Sequence, residues 1–219
     1  MKVKRTLFTK VVIFIARDKT STRIKIIREA RSEFLTFGFE KASIRRIAEK
    51  AGVVPSALYR HFKDKEALFS YFVEPALTEY DKICETDMNE VYEMLDSEKV
   101  DQIWSYSDEQ FTERIRFIYK HYEAFKLLCT SAEGTKYNDF QHQLVEKDVQ
   151  SSMLLWKGLK EKGLPVRNID EKDLQIITRG VFGSLLEFIM RDYSEEEALQ
   201  RSKTIAIFFN SGMRSIFGL

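Results

Sequence analysis

The chain is poor in the residues that mark secreted, membrane-spanning and sheet-rich proteins. Its 219 residues include two cysteines, three prolines and nine glycines. Cys84 and Cys129 stand alone in helical surroundings, which fits free thiols in the reducing cytoplasm rather than a disulfide scaffold. Turn clusters are few, and long stretches carry helical periodicity without a convincing strand. No apolar run approaches the roughly 18–20 residues of a membrane span, so no membrane association is expected. The apolar stretch Val11-Val12-Ile13-Phe14-Ile15-Ala16 follows a basic start, but it ends at Arg17-Asp18 with no small-residue cleavage site. It is therefore not read as a secretory leader. Residues 1–19 stay open between an added helix or strand on the body, an arm touching a polyanion, and an extension without a specific role.

Catalytic signatures are missing too. There is no Gly-rich phosphate loop after a strand, no GxSxG and no CxxC or HxxxH spacing, and His121 and His142 stand 21 positions apart. No pair of carboxylates stands out from ordinary helix-face charge. The chain is read as a non-enzyme with no cofactor and no metal.

What is present is a lopsided charge. Residues 1–65 hold 17 Lys/Arg against six Asp/Glu, and the remainder holds 18 against 28. A net charge of +1 hides this asymmetry. A basic N-terminal portion suits a polyanion, and an acidic remainder keeps the rest away from it.

The basic portion contains Ala42 to Phe69, ASIRRIAEKAGVVPSALYRHFKDKEALF. Ser43 is a candidate N-cap, and Ile44, Ile47, Ala48 and Ala51 recur at helical spacing. Gly52 sits where a helix ends in a left-handed residue. Pro55 suits the first turn of a short second helix over 55–61, in which Leu58 and Ala57 look inward. Isolated helices need roughly 12 residues or more, so neighbours must brace this one while its polar face points outward. Two helices across a Gly-containing turn form a helix-turn-helix, whose second helix enters the DNA major groove.

Before it, a helix is predicted from Thr20-Ser21-Thr22, with Ile24, Ile27, Ala30, Phe34 and Phe37 as its buried stripe and Gly38 as its end. Phe39 is expected beneath the helix-turn-helix. After it, a helix capped by Asp64 runs through Ala67, Leu68, Tyr71 and Phe72, with a kink or restart at Pro75. Further helices are predicted at 76–86, 87–104, 107–128, 136–162, 170–192 and 195–216. The last two carry wide apolar stripes, including Phe182, Leu185, Leu186 and Ile189 in one and Ile205, Phe208, Phe209 and Met213 in the other. These residues are expected to form a homodimer interface as a four-helix bundle, because an operator-reading helix-turn-helix needs paired half-sites. An ordinary core hairpin is the alternative.

Gly38-Phe39, Ala42-Ser43-Ile44, Ile47-Ala48, Ala51-Gly52-Val53, Leu58-Tyr59, His61-Phe62, Lys65-Glu66 and Leu68 resemble the tetracycline-repressor (TetR) family of transcription regulators. The spacing fits without a gap, and the resemblance covers roughly residues 22–71. It implies an all-α fold: an N-terminal three-helix helix-turn-helix DNA-binding domain plus a larger C-terminal helical ligand-binding and dimerisation domain. The corresponding divisions are an extension over 1–19, the DNA-binding domain over 20–66 and the body over 67–219. The implied function is a sequence-specific regulator of transcription, a repressor released by a small apolar or aromatic molecule. Its partners would be a palindromic double-stranded DNA operator, a small-molecule inducer and a second copy of the chain.

By the same resemblance, Ser43, Tyr59, His61 and Lys65 fall on phosphate-contacting positions, and Arg45 on one that reaches base edges. Pro55, Ser56 and Arg60 lie on the recognition helix. Val54 departs from the family, which commonly has a small hydroxyl residue there; valine cannot cap, but can meet a thymine methyl. Arg46 is read as solvating its helix. A ligand pocket is implied among the fourth to eighth helices, where Trp104, Phe111, Tyr119, Tyr122, Phe125 and Trp156 are candidate lining residues. Two other functions stay open: a nucleoid or division factor of the same fold without an inducer, and a helical small-molecule-binding protein with no specific operator.

Overall fold

A computed structural model describes the backbone of residues 3–96 and 103–218, and the side chains of residues 20–95 and 111–218. Within these limits the chain is helical, without strands: α1 (Val3–Lys41), α2 (Ile44–Lys50), α3 (Pro55–Tyr59), α4 (Lys65–Asp96), α5 (Ile103–Lys120), α6 (Tyr122–Ser131), α7 (Phe140–Glu161), α8 (Glu171–Met190) and α9 (Glu195–Phe217). No described helix is long and apolar enough to cross a membrane.

The breaks around the first three helices follow local chemistry, and α1 itself kinks at the non-helical Gly38 before reaching Lys41. Gly38 has φ 71° and Gly52 φ 71°, left-handed values that glycine adopts without a Cβ penalty. The Ser43 hydroxyl accepts from Arg46 N–H at 3.4 Å, and the Asp64 carboxylate accepts from Ala67 N–H at 2.7 Å. Both predicted caps are therefore formed. Val54 caps α3 with no side-chain hydrogen bond.

The buried stripe of α1 is rotated from the predicted one. Ile26, Ala30 and Phe34 are fully buried, while Ile24 and Phe37 are exposed. Residues 26, 30 and 34 form an i, i+4, i+8 row, which faces α2, α4 and α6. Phe39 does lie beneath the helix-turn-helix, 6.0 Å from the Phe34 ring and 5.5 Å from Phe69.

Helix α4 neither restarts at Pro75 nor divides at residue 87. Val73 and Ala76 on either side of Pro75 are fully buried, so tertiary packing holds the helix together across the lost N–H. The helix predicted at 107–128 is instead interrupted at His121 (φ −112°, ψ 31°), whose ring nitrogen meets Glu79 at 2.9 Å. Helix α7 begins at Phe140, because residues 132–139 form turns over a left-handed Gly134. In the body, α9 lies mainly on α5, and α8 on α7 and α6.

Candidate nucleic-acid interface and the body cavity

Helix α3 shows one face in and one face out. Ala57 and Leu58 are buried, and Val54, Pro55, Ser56, Tyr59 and Arg60 are exposed. Val54 is 62% exposed, an outlay of apolar surface at the entrance to the helix. Arg45 is exposed on α2, and His61 is half-buried just after α3, its N–H donating to the Leu58 carbonyl. The outward residues of α2 and α3 thus share the surface of one small, basic, three-helix unit.

Lys65 is turned elsewhere. Its ammonium donates to the carbonyls of Phe39 at 2.7 Å, Glu40 at 3.1 Å and Ala42 at 3.2 Å. An ammonium has three N–H groups, and three carbonyls at the end of α1 meet them. Burial pushes the Lys65 pKa below its usual value, with the Glu40 charge opposing that. In this form the residue ties α4 to the α1–α2 junction rather than offering itself to a phosphate.

Arg46 does not merely solvate α2. It pairs with the buried carboxylate of Glu33, donates to the Lys41 carbonyl at 2.8 Å and lies 4.6 Å from the Phe37 ring centroid. Glu33 also accepts from Ser43 N–H at 3.1 Å and pairs with Lys50 at 3.4 Å. Burial by itself raises the Glu33 carboxyl; the bonds from Arg46, Ser43 and Lys50 outweigh it and hold the pKa below the usual range. Sequence reasoning missed this hub. The signal was a carboxylate next to Phe34 on an apolar stripe, with Arg46 and Lys50 spaced i, i+4 on the following helix.

A cavity of about 170 Å³ lies in the body between α4, α5, α7, α8 and α9. Met88, Val91, Phe111, Leu155, Val181 and Phe209 give it apolar walls. At its polar end Arg114 pairs with Asp148 at 3.1 Å. Burial works against the Arg114 charge, and the carboxylates of Asp148 and Asp87 more than offset it. Cys84 also borders the cavity, and burial pushes its thiol up.

Of the aromatic residues expected to line a pocket, Phe111 does so. The Trp104 side chain lies outside the described residues. Tyr119, Tyr122, Phe125 and Trp156 are not among the residues lining this cavity. The Tyr119 hydroxyl donates to the Tyr193 carbonyl at 2.7 Å, the Tyr122 hydroxyl bonds Asp192, Phe125 is core against Phe117, and Trp156 Nε1 donates to the Arg167 carbonyl at 2.7 Å. Aromatics at helical spacing fill core or hold their polar tips to nearby backbone, and only the facing helices decide which.

The expected interface residues also divide. Phe182, Leu185, Leu186 and Ile189 are buried within the chain against α6 and α7, so they are not surface. Phe209 and Met213 line the cavity, and Ile205 is half-buried. Phe208 is 73% exposed, as are Ile176 at 72% and Ile207 at 67%. The outward apolar surface of α8 and α9 therefore includes Ile176, Met190, Ile207 and Phe208.

Residues 26–72 match the family profile described as bacterial regulatory proteins, tetR family. The HTH-type transcriptional repressor AcnR of Corynebacterium glutamicum is 44% identical over 55 residues, 25% of this chain and 29% of that protein. The HTH-type transcriptional repressor Rv1474c of Mycobacterium tuberculosis is 40% identical over 47 residues, 22% of this chain and 25% of that protein. The chain thus matches about a quarter of the length of these relatives. Solved structures extend the likeness to the body. FadR of Bacillus subtilis, crystallised with stearoyl-CoA, is 16% identical with a TM-score of 0.54, over 87% of this chain and 98% of FadR. The TetR-family regulator PfmR of Thermus thermophilus is 16% identical with a TM-score of 0.53, over 85% of this chain and 97% of PfmR. Residues 26–72 match the tetR family of bacterial regulatory proteins, and the helical chain that carries them shares the fold of solved transcriptional regulators, PfmR of the TetR family among them.

Proposed function

We propose that the chain is a sequence-specific DNA-binding repressor of transcription that acts as a homodimer and is released by a small molecule. The observation that carries the reading is the division of α3, with Ala57 and Leu58 inside and Val54, Pro55, Ser56, Tyr59 and Arg60 outside. A five-residue helix held by its neighbours, with its polar side outward, is built to be laid against something. The basic charge of residues 1–65 points to duplex DNA as that partner. Arg45 and the α3 residues would read bases and backbone, with Ser43, Tyr59 and His61 on phosphates. The domain division at residue 66 belongs to the same proposal.

Two further features support the reading. Ile176, Ile207 and Phe208 offer apolar surface that a second copy would cover, as paired half-sites require. The cavity touches α4 at Cys84, Met88 and Val91, and the other end of α4 grips the α1–α2 junction through Lys65. A ligand that favours one arrangement of α4 would shift the pair of recognition helices by its differential affinity for the two states. The volume of about 170 Å³ fits a compact ligand, since a cavity of roughly 150 Å³ holds benzene. Selection of bound duplexes from a random pool tests the reading. A palindrome should emerge and be preferred over scrambled duplex at moderate ionic strength; equal binding to both defeats the proposal.

A further inference from the structure

Two of the three cations on α2 are already engaged within the protein. The helix carries Arg45, Arg46 and Lys50. Arg46 Nε and Nη2 lie 2.6 and 2.5 Å from Glu33 Oε1, and Lys50 Nζ lies 3.4 Å from Oε2. Glu33 has no exposed side-chain surface, while Arg46 and Lys50 are about half exposed, at 44% and 47%. A carboxylate buried in an apolar stripe is expensive unless paired, and replacing such a pair by packed apolar groups is often neutral or stabilising. Its presence in the first helix of a DNA-facing unit therefore calls for a role beyond stability.

We propose that Glu33 is a specificity-determining positioning residue, which neutralises Arg46 and Lys50 and leaves Arg45 as the α2 cation that it does not pair. The inference rests on the DNA-binding reading above. Non-specific affinity for DNA grows with each cation that meets a phosphate, whereas discrimination comes from contacts to base edges. Two more free cations on α2 would strengthen binding to every sequence alike. Glu33 also receives the Ser43 N–H, so the same carboxylate sets the first turn of α2. Arg46 is further fixed by the Lys41 carbonyl and the Phe37 ring, so releasing it means breaking a defined arrangement rather than shifting a mobile side chain.

The test uses the full chain and a random-sequence duplex, with binding followed by fluorescence anisotropy across a salt series. Glu33→Gln keeps the size of the side chain and removes its charge. It should tighten binding to random duplex and steepen the slope of log K against log salt by roughly 0.9 to 1.8, one to two added phosphate contacts. The preference for a selected palindrome over random duplex should shrink. Lys50→Met should leave the slope unchanged, because that charge is already taken. A merely structural Glu33 would weaken binding to both duplexes without steepening the slope. That result in a folded variant overturns the proposal, and so does a slope lowered by roughly 0.9 in Lys50→Met, which would mean that Lys50 already touches phosphate. If Glu33→Gln does not fold, Lys50→Met alone decides. Wild-type chain that binds no duplex defeats the DNA reading itself, a failure distinct from an unchanged slope in a wild type that does bind.

Discussion

The Lys65 ammonium stands 2.7 Å from the Phe39 carbonyl oxygen and 4.4 Å from the centroid of the Phe39 ring. One side chain at the start of α4 thus closes the end of α1 by charge-assisted hydrogen bonding and by a cation–π contact. Substituting Lys65→Met leaves the carbonyls of Phe39, Glu40 and Ala42 without that donor. The expected cost is about 1–3 kcal/mol, seen as a lower melting temperature in the absence of DNA. An unchanged melting temperature would show that the clamp contributes nothing.

Val54 leaves the first turn of α3 without a side-chain cap. Val54→Ser supplies an oxygen at that position and removes an exposed apolar group. Stability should rise by about 0.5–1 kcal/mol, a gain of roughly 1–4 °C in melting temperature for a chain of this size. Calorimetry checks this, and a fall in melting temperature would mean that Val54 packs against something the capping argument ignores.

Phe208 is exposed in the single chain, so an aspartate there disturbs no core. Phe208→Asp should leave the helical signal intact and halve the mass seen by sedimentation equilibrium at a concentration where the wild type is dimeric. A variant that still sediments as a dimer would move the interface away from this part of α9.

Acid should loosen the N-terminal unit through Glu33. Burial raises its carboxyl, and the bonds from Arg46, Ser43 and Lys50 bring the folded pKa below the unfolded one. A carboxyl depressed on folding contributes stability that is fully present above its unfolded value of about 4.3 and is lost as pH falls through the folded value. Glu74 has the same sign, its carboxyl lowered by bonds from Lys136 and Tyr137. The urea midpoint should therefore hold steady from neutrality down to about pH 5 and then decline. In Glu33→Gln the midpoint should be lower at neutral pH and its decline in acid shallower. An identical decline in both proteins would remove Glu33 from the acid response.

Much of the candidate interface was legible because it depends on short-range chemistry. A left-handed glycine at 38 and at 52, hydroxyl and carboxylate caps at 43 and 64, and proline at 55 act within one turn of chain. The inward pair Ala57 and Leu58 follows from helical period once those ends are set. The amino-acid order alone therefore determined the two short helices α2 and α3, the breaks around them and the outward residues of α3. Tertiary structure decided everything that depends on which helix meets which. It rotated the α1 stripe toward Ile26, carried α4 unbroken through Pro75, sent Trp156 to the Arg167 carbonyl instead of a pocket, and buried Leu185 while exposing Phe208. It also sank Glu33 beneath α2. Caps and turns are set by neighbours a few bonds away; burial and charge pairing are set by surfaces far apart along the chain, and those meet only when the helices assemble.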